Sequence, residues 1–235
     1  MSGLFSVNKH CTIHTIPLAD SKLICIDDFL ADPDTLVAYA KTQPFTPYPG
    51  VRERKGYPGV RAKAPDDYSY NMTTFVEPLI KSTFDVPAHL DIRKSICAMS
   101  LLTIPGELLG PLQRTPHFDS STPHHIAAVL YLCGPEHGGT AFYRHKATGL
   151  SRITESDVDN YLDRYYQEIN QNKPSNAYFS DENQFFQIFH KVDAKFNRLV
   201  LYRGSHLHSA YINSNDSICD DPDTGRLTVN TFFDF

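Results

Sequence analysis

From residue 95 onward the chain is cut into seven short β-type runs, at 95–104, 126–133, 139–144, 184–190, 198–202, 209–212 and 227–233, each bounded by turn residues. Short strands in close succession predict an antiparallel sandwich or barrel, and one helical stretch, about 155–171, interrupts the series. Ahead of it the texture differs. Residues 22–30 read as a strand leading into a turn, and Asp32-Pro33-Asp34 then opens a helix running to about Lys41, with proline in its tolerated first-turn position. The segment 43–67, rich in proline, glycine, tyrosine and arginine, reads as a long ordered loop, and 70–84 has the apolar spacing of a second helix. The expected fold class is mainly β with flanking helices (α+β), in one domain over 1–235: an N-terminal part, 1–94, ahead of a β core, 95–235.

With 41% hydrophobic residues the chain can bury a full core. Lys and Arg total 22 against 27 Asp and Glu, and a net charge of -5 argues against nucleic acid or an anionic membrane as partner. The five cysteines are scattered and form no CxxC pair, which speaks against a disulfide framework and a structural zinc site. No run reaches signal-peptide or membrane-spanning character, so a cytoplasmic location is expected.

The most informative stretch is TPHFDS at 115–120. His117 and Asp119 are two apart, so on an extended backbone an imidazole and a carboxylate leave the same face. A distant histidine would complete the facial triad of non-haem iron(II) sites, which leaves coordination positions open for co-substrate and dioxygen. Among 11 histidines an HxD triplet alone says little, but it is followed in order by VLYLC at 129–133, GGTAFY at 138–143, NRLVLYRGSHLHSAYI at 197–212 and GRLTVNTFF at 225–233. Gly138 and Gly139 read as a tight turn, and His124 and His125, being adjacent, cannot both serve one metal. His137, His145 and His190 are expected in loops or at strand ends.

That ordered set resembles the iron(II)/2-oxoglutarate-dependent oxygenases, particularly their prolyl hydroxylase-like branch, over about residues 95–235. The resemblance implies a double-stranded β-helix, an eight-stranded cupin-like jelly roll with the N-terminal helices packed on its major sheet. It further implies Fe(II) held by His117, Asp119 and His208, with 2-oxoglutarate and O2 as co-substrates. His208 is preferred to His206 because it immediately precedes a short apolar strand; His206 reads as a loop histidine at the site mouth. Arg226, with Thr228 on the same strand face, matches the position that binds the distal carboxylate of 2-oxoglutarate, and Tyr131 matches a second hydrogen-bonding position. The activity implied is hydroxylation of a C–H bond in an amino-acid-like, peptidyl or small-molecule substrate, coupled to decarboxylation of 2-oxoglutarate to succinate.

Two other readings stay open: a cupin-type metal enzyme that does not use 2-oxoglutarate, and a non-catalytic jelly-roll module that binds a sugar or peptide. The segment 48–61, YPGVRERKGYPGVR, concentrates Tyr48, Arg52, Arg54, Tyr57 and Arg61, and is either a solvated loop or a lid for an anionic or amino-acid-like group. The helical insertion and the acidic loop 213–223 either shape the entrance or mediate self-association, as in a homodimer.

Overall fold

Period-two alternation along the strands gives one large sheet two unlike faces, and the rest of the architecture follows from covering both. The computed structural model describes residues 3–49, 56–212 and 218–235. In chain order the elements are β1 (Thr12–Leu18), β2 (Ser21–Asp27), α1 (Pro33–Lys41), β3 (Thr46–Pro47), β4 (Gly59–Lys63), α2 (Asp66–Thr83), β5 (Lys94–Leu102), β6 (His125–Tyr131), β7 (Gly139–His145), α3 (Val158–Gln171), β8 (Phe186–Asp193), β9 (Arg198–Arg203), β10 (His208–Tyr211) and β11 (Thr228–Asp234). The major sheet is ordered β1-β2-β9-β6-β11-β5-β4-β3 and the minor sheet β10-β7-β8. All pairings are antiparallel.

The inward face of the major sheet packs on the minor sheet, with Leu23, Ala127, Val200 and Tyr202 against Phe142 and Val192, and the segment at His117 bridges to β10 beside it. This is the expected double-stranded β-helix. On one face of the major sheet Met99, Leu101, Leu130, Leu199, Leu201, Val229 and Phe233 form a continuous core with α1 and α2. The stripe Tyr68, Met72, Val76 and Ile80, spaced every four residues along α2, meets it. Each such fully buried aliphatic side chain contributes about 1.5–3 kcal/mol relative to exposure. α1 starts where expected because the Asp32 carboxylate accepts from Thr35 N at 3.4 Å and Pro33 occupies the first turn.

The other face turns inward, where Tyr131, Val200 and Tyr202 pack with Phe142 from β7. α3 lies outside the minor sheet, its Tyr161 and Tyr165 packed with Tyr143 and Phe186. Buried Asn197 ties the roll to the N-terminal part, its side chain accepting from Leu30 N at 2.8 Å and donating to Leu30 O at 2.9 Å.

Two expectations are corrected and one strand is added. The segment 43–67 is not loop throughout: β3 and β4 lie within it because β4 pairs with β5, a long-range contact that local composition does not reveal. β1 was not anticipated; it is an edge strand whose side chains are mostly exposed, so it lacks a buried alternation. His190 lies inside β8 rather than at its end. The five cysteines are free, and among the described residues no helix is long and apolar enough to cross a membrane.

Candidate metal and co-substrate site

The HxD segment is not the regular strand that its spacing suggested. It is a bend fastened by backbone hydrogen bonds: His117 N to His208 O at 2.9 Å, His208 N to His117 O at 2.8 Å, and Asp119 N to Gly204 O at 2.7 Å. Gly204 is required there, since a Cβ would come within 2.4 Å of the His125 ring and 3.3 Å of the Asp119 Cβ. The bridge places His117 directly beside the first residue of β10, which is His208.

His117 Nε2 lies 3.7 Å from Asp119 Oδ1, His208 Nε2 lies 3.5 Å from Asp119 Oδ2, and the three ligand atoms all fall within 4.8 Å of one another. These separations exceed a hydrogen bond and approach the roughly 3 Å between neighbouring donors that each sit ~2.1 Å from one ion. The three groups therefore surround a common point. His208 Nδ1 donates to His206 O at 2.9 Å, which leaves its Nε2 lone pair toward that point. Burial holds the His208 imidazole down to about 4, and desolvation within the site, with the neighbouring His208, lowers His117 as well, although about half of its side chain is exposed. Both are thus neutral bases, the form a metal requires. Burial pushes the Asp119 carboxyl upward, opposed by His117, His125 and Arg61, and a bound cation would reverse that direction.

The His206 ring is not among the converging donors. It is fully buried rather than at the mouth, its ring nitrogens have no hydrogen-bond partner, and it acts on the site only through its carbonyl. His125 is engaged by Asp234 at 2.6 Å, and His145 by Glu168 at 2.8 Å.

The triad opens into a cavity of about 390 Å³ that also carries Tyr57, Arg61, Thr140 and Arg226 on its wall. Arg226 is 4% exposed; one terminal nitrogen donates to Gly139 O at 3.0 Å, and its Nε has no acceptor. Thr228 and Tyr131 sit directly opposite each other on β11 and β6, just behind the wall. The Tyr131 hydroxyl is bonded to Thr140 Oγ1 at 2.6 Å, and burial pushes it up to about 12, so it remains a neutral phenol. Tyr57 Oη lies near Thr228, yet neither hydroxyl makes an aligned hydrogen bond. Buried polar groups are normally satisfied, so these orphaned donors beside a cation fit an absent carboxylate. The donors of the triad likewise fit a divalent ion.

Gly138 and Gly139 keep their structural role: at Gly138, φ is +84° and a Cβ would meet Tyr211 O at 2.0 Å. Thr140, Tyr202 and Asn230 also line the cavity and were not singled out in the sequence; each becomes legible only once strand register assigns it to the inward face. Of the 48–61 segment, residues 50–55, which include Arg52 and Arg54, lie outside the described residues, whereas Tyr48, Gly56, Tyr57 and Arg61 line the cavity.

A family model matches residues 8–233, nearly the whole chain: DUF6445, described as a family of unknown function. The chain belongs to DUF6445. No curated protein matches this DUF6445 member. Among solved structures it is similar to HygX from Streptomyces hygroscopicus with nickel, 2-oxoglutarate and hygromycin B bound, at 10% identity, TM-score 0.45, covering 90% of this chain and 82% of that one. It is also similar to an N-substituted L-amino acid dioxygenase from Burkholderia ambifaria AMMD, at 12% identity, TM-score 0.36, covering 90% and 80%.

Proposed function

We propose that this DUF6445 protein is an Fe(II)- and 2-oxoglutarate-dependent dioxygenase that hydroxylates a C–H bond of an amino-acid-like, peptidyl or small-molecule substrate. The observation that carries the reading is the coincidence, in one cavity, of a His-Asp-His set around a common point and a buried arginine with an unsatisfied donor. A cupin-type enzyme without 2-oxoglutarate has no use for that arginine, and a non-catalytic module has no use for three converging metal donors.

His117, Asp119 and His208 would hold the metal from one side, leaving the cavity side open. Arg226, with Thr228 and Tyr131 behind it, would receive the distal carboxylate of 2-oxoglutarate; a charge-assisted bond to the free Nε relieves an orphaned donor at the same time. The iron and the keto acid, when bound, supply the oxidising chemistry. The chain's own contribution is orientation and water exclusion. Phe232 lines the cavity with Ala127 and Val129, apolar surface that holds a C–H bond without offering it a proton donor, and Tyr202 adds a ring with a phenolic hydroxyl.

Anaerobic titration of the purified protein with Fe(II) and 2-oxoglutarate tests the reading. The expected result is the weak visible charge-transfer band of an iron-bound keto acid, lost in His208→Ala and weakened in Arg226→Ala. A folded, metal-loaded protein without the band would sink it.

A further inference from the structure

The cavity contains a second arginine that the co-substrate does not require. Arg61 lies on β4 opposite Ser100 of β5, which is opposite Thr228 of β11, which is opposite Tyr131 of β6. Directly opposed residues of an antiparallel sheet share a face, so these four form one row across the inward surface. Arg61 thus enters the same cavity from the far side of Thr228. Its guanidinium carbon sits 4.6 Å from the Tyr48 ring centroid and 4.4 Å from that of Tyr57. Two rings this close hold the guanidinium by cation–π contact and leave its N–H groups as the means of binding a ligand. Its Nε is buried without an acceptor, and among the described residues no carboxylate forms an ion pair with it.

Charge balance sharpens the point. With the metal and 2-oxoglutarate in place, the divalent ion and Arg226 match Asp119 and the two carboxylates of the keto acid. Among the described residues Arg61 is then left as a partly buried cation without a compensating anion, and such charges are normally paired. Size adds a limit, because about 390 Å³ lies at the lower end of ligand pockets and must accommodate two molecules.

We infer that Arg61, clasped between Tyr48 and Tyr57, binds a carboxylate of the molecule to be oxidised, so that the substrate is a small organic acid of amino-acid size. This rests on the dioxygenase reading above. In mechanism Arg61 would fix one end of the substrate and leave its carbon skeleton over the metal, a gain in orientation rather than in chemistry.

The test is anaerobic calorimetry on the full chain loaded with Mn(II) and 2-oxoglutarate. The probes are L-amino acids and their N-acetyl derivatives, each paired with its primary amide. At least one acid is expected to bind tenfold or more tightly than its amide. That preference should collapse in Arg61→Gln and return in part in Arg61→Lys, while 2-oxoglutarate affinity stays within about twofold in both variants, which also shows that they fold. The inference is overturned if no acid binds, if acid and amide bind alike, if the preference survives Arg61→Gln, or if Arg61→Gln rather than Arg226→Gln loses 2-oxoglutarate. Failure of the wild type to bind 2-oxoglutarate would instead remove the dioxygenase reading, and an Arg61-dependent acid preference with Mn(II) alone would still report on Arg61.

Discussion

On β11, Val229, Thr231 and Phe233 turn toward α1 and α2, while Thr228, Asn230 and Phe232 turn into the roll. The first set lies in an apolar interior, where Thr231 finds the Cys97 sulfur at 3.0 Å and the Tyr68 hydroxyl is the one side-chain polar atom of that core left without a partner among the described residues. The second set borders unsatisfied donors at Arg226, Thr228, Tyr57 and Arg61. One backbone thus supports a face optimised for packing and a face left incomplete, and incompleteness on a buried surface marks where ligands supply the missing partners.

Breaking the incomplete face at its centre should give the largest effect. Asp119→Ala is expected to lower Fe(II) or Mn(II) affinity by at least about a hundredfold, since even outer-shell changes cost 10–100-fold. Its apo melting temperature should hold or rise, because a carboxyl whose charge desolvation disfavours has gone; an unfolded variant would contradict the division between faces. Next, Leu201→Ala on the packed face should cost about 2–5 kcal/mol in urea unfolding, with metal affinity unchanged for the folded fraction.

Arg226→Gln comes third: 2-oxoglutarate should bind roughly 10–150-fold more weakly, the worth of a charged hydrogen bond of about 1.5–3 kcal/mol, with metal affinity intact. The smallest effect sharpens the comparison most. Thr228→Val removes an orphaned hydroxyl, so the apo protein should be as stable or slightly more stable, while 2-oxoglutarate binding weakens about 2- to 13-fold. A variant destabilised without ligand and indifferent to it would place Thr228 with the packed face.

The packed face was the more legible of the two. Runs such as RLVLY and VLYLC alternate or saturate with apolar residues, so their strands stand in the sequence. His117, Asp119 and His208 were also legible, through spacing and order, although the bend that carries the first two was not. What stayed hidden depended on pairing between distant segments. GVRAK at 59–63 looks like loop until β5 pairs with it, and only that pairing separates Arg61 from its neighbours Arg52 and Arg54. The choice between His206 and His208 followed from proximity to β10, but the depth of His206 in apolar surroundings depends on Phe142, which packs against it from β7.

The backbone bridge between His117 and His208 joins segments roughly ninety residues apart. A metal ion there would be a non-covalent cross-link, closing a long loop whose closure entropy the unfolded chain would otherwise retain. Within that loop β6, β7, β8 and β9 are fixed in the two sheets, and the stretch from β7 to β8 that carries α3 is the excursion from this frame. Its length can change at little entropic cost, because doubling such a loop adds only about 0.6 kcal/mol. The clasp that would anchor the metal thus adds to the hold of the sheets on this interval, and the stretch around α3 is the part whose length can vary.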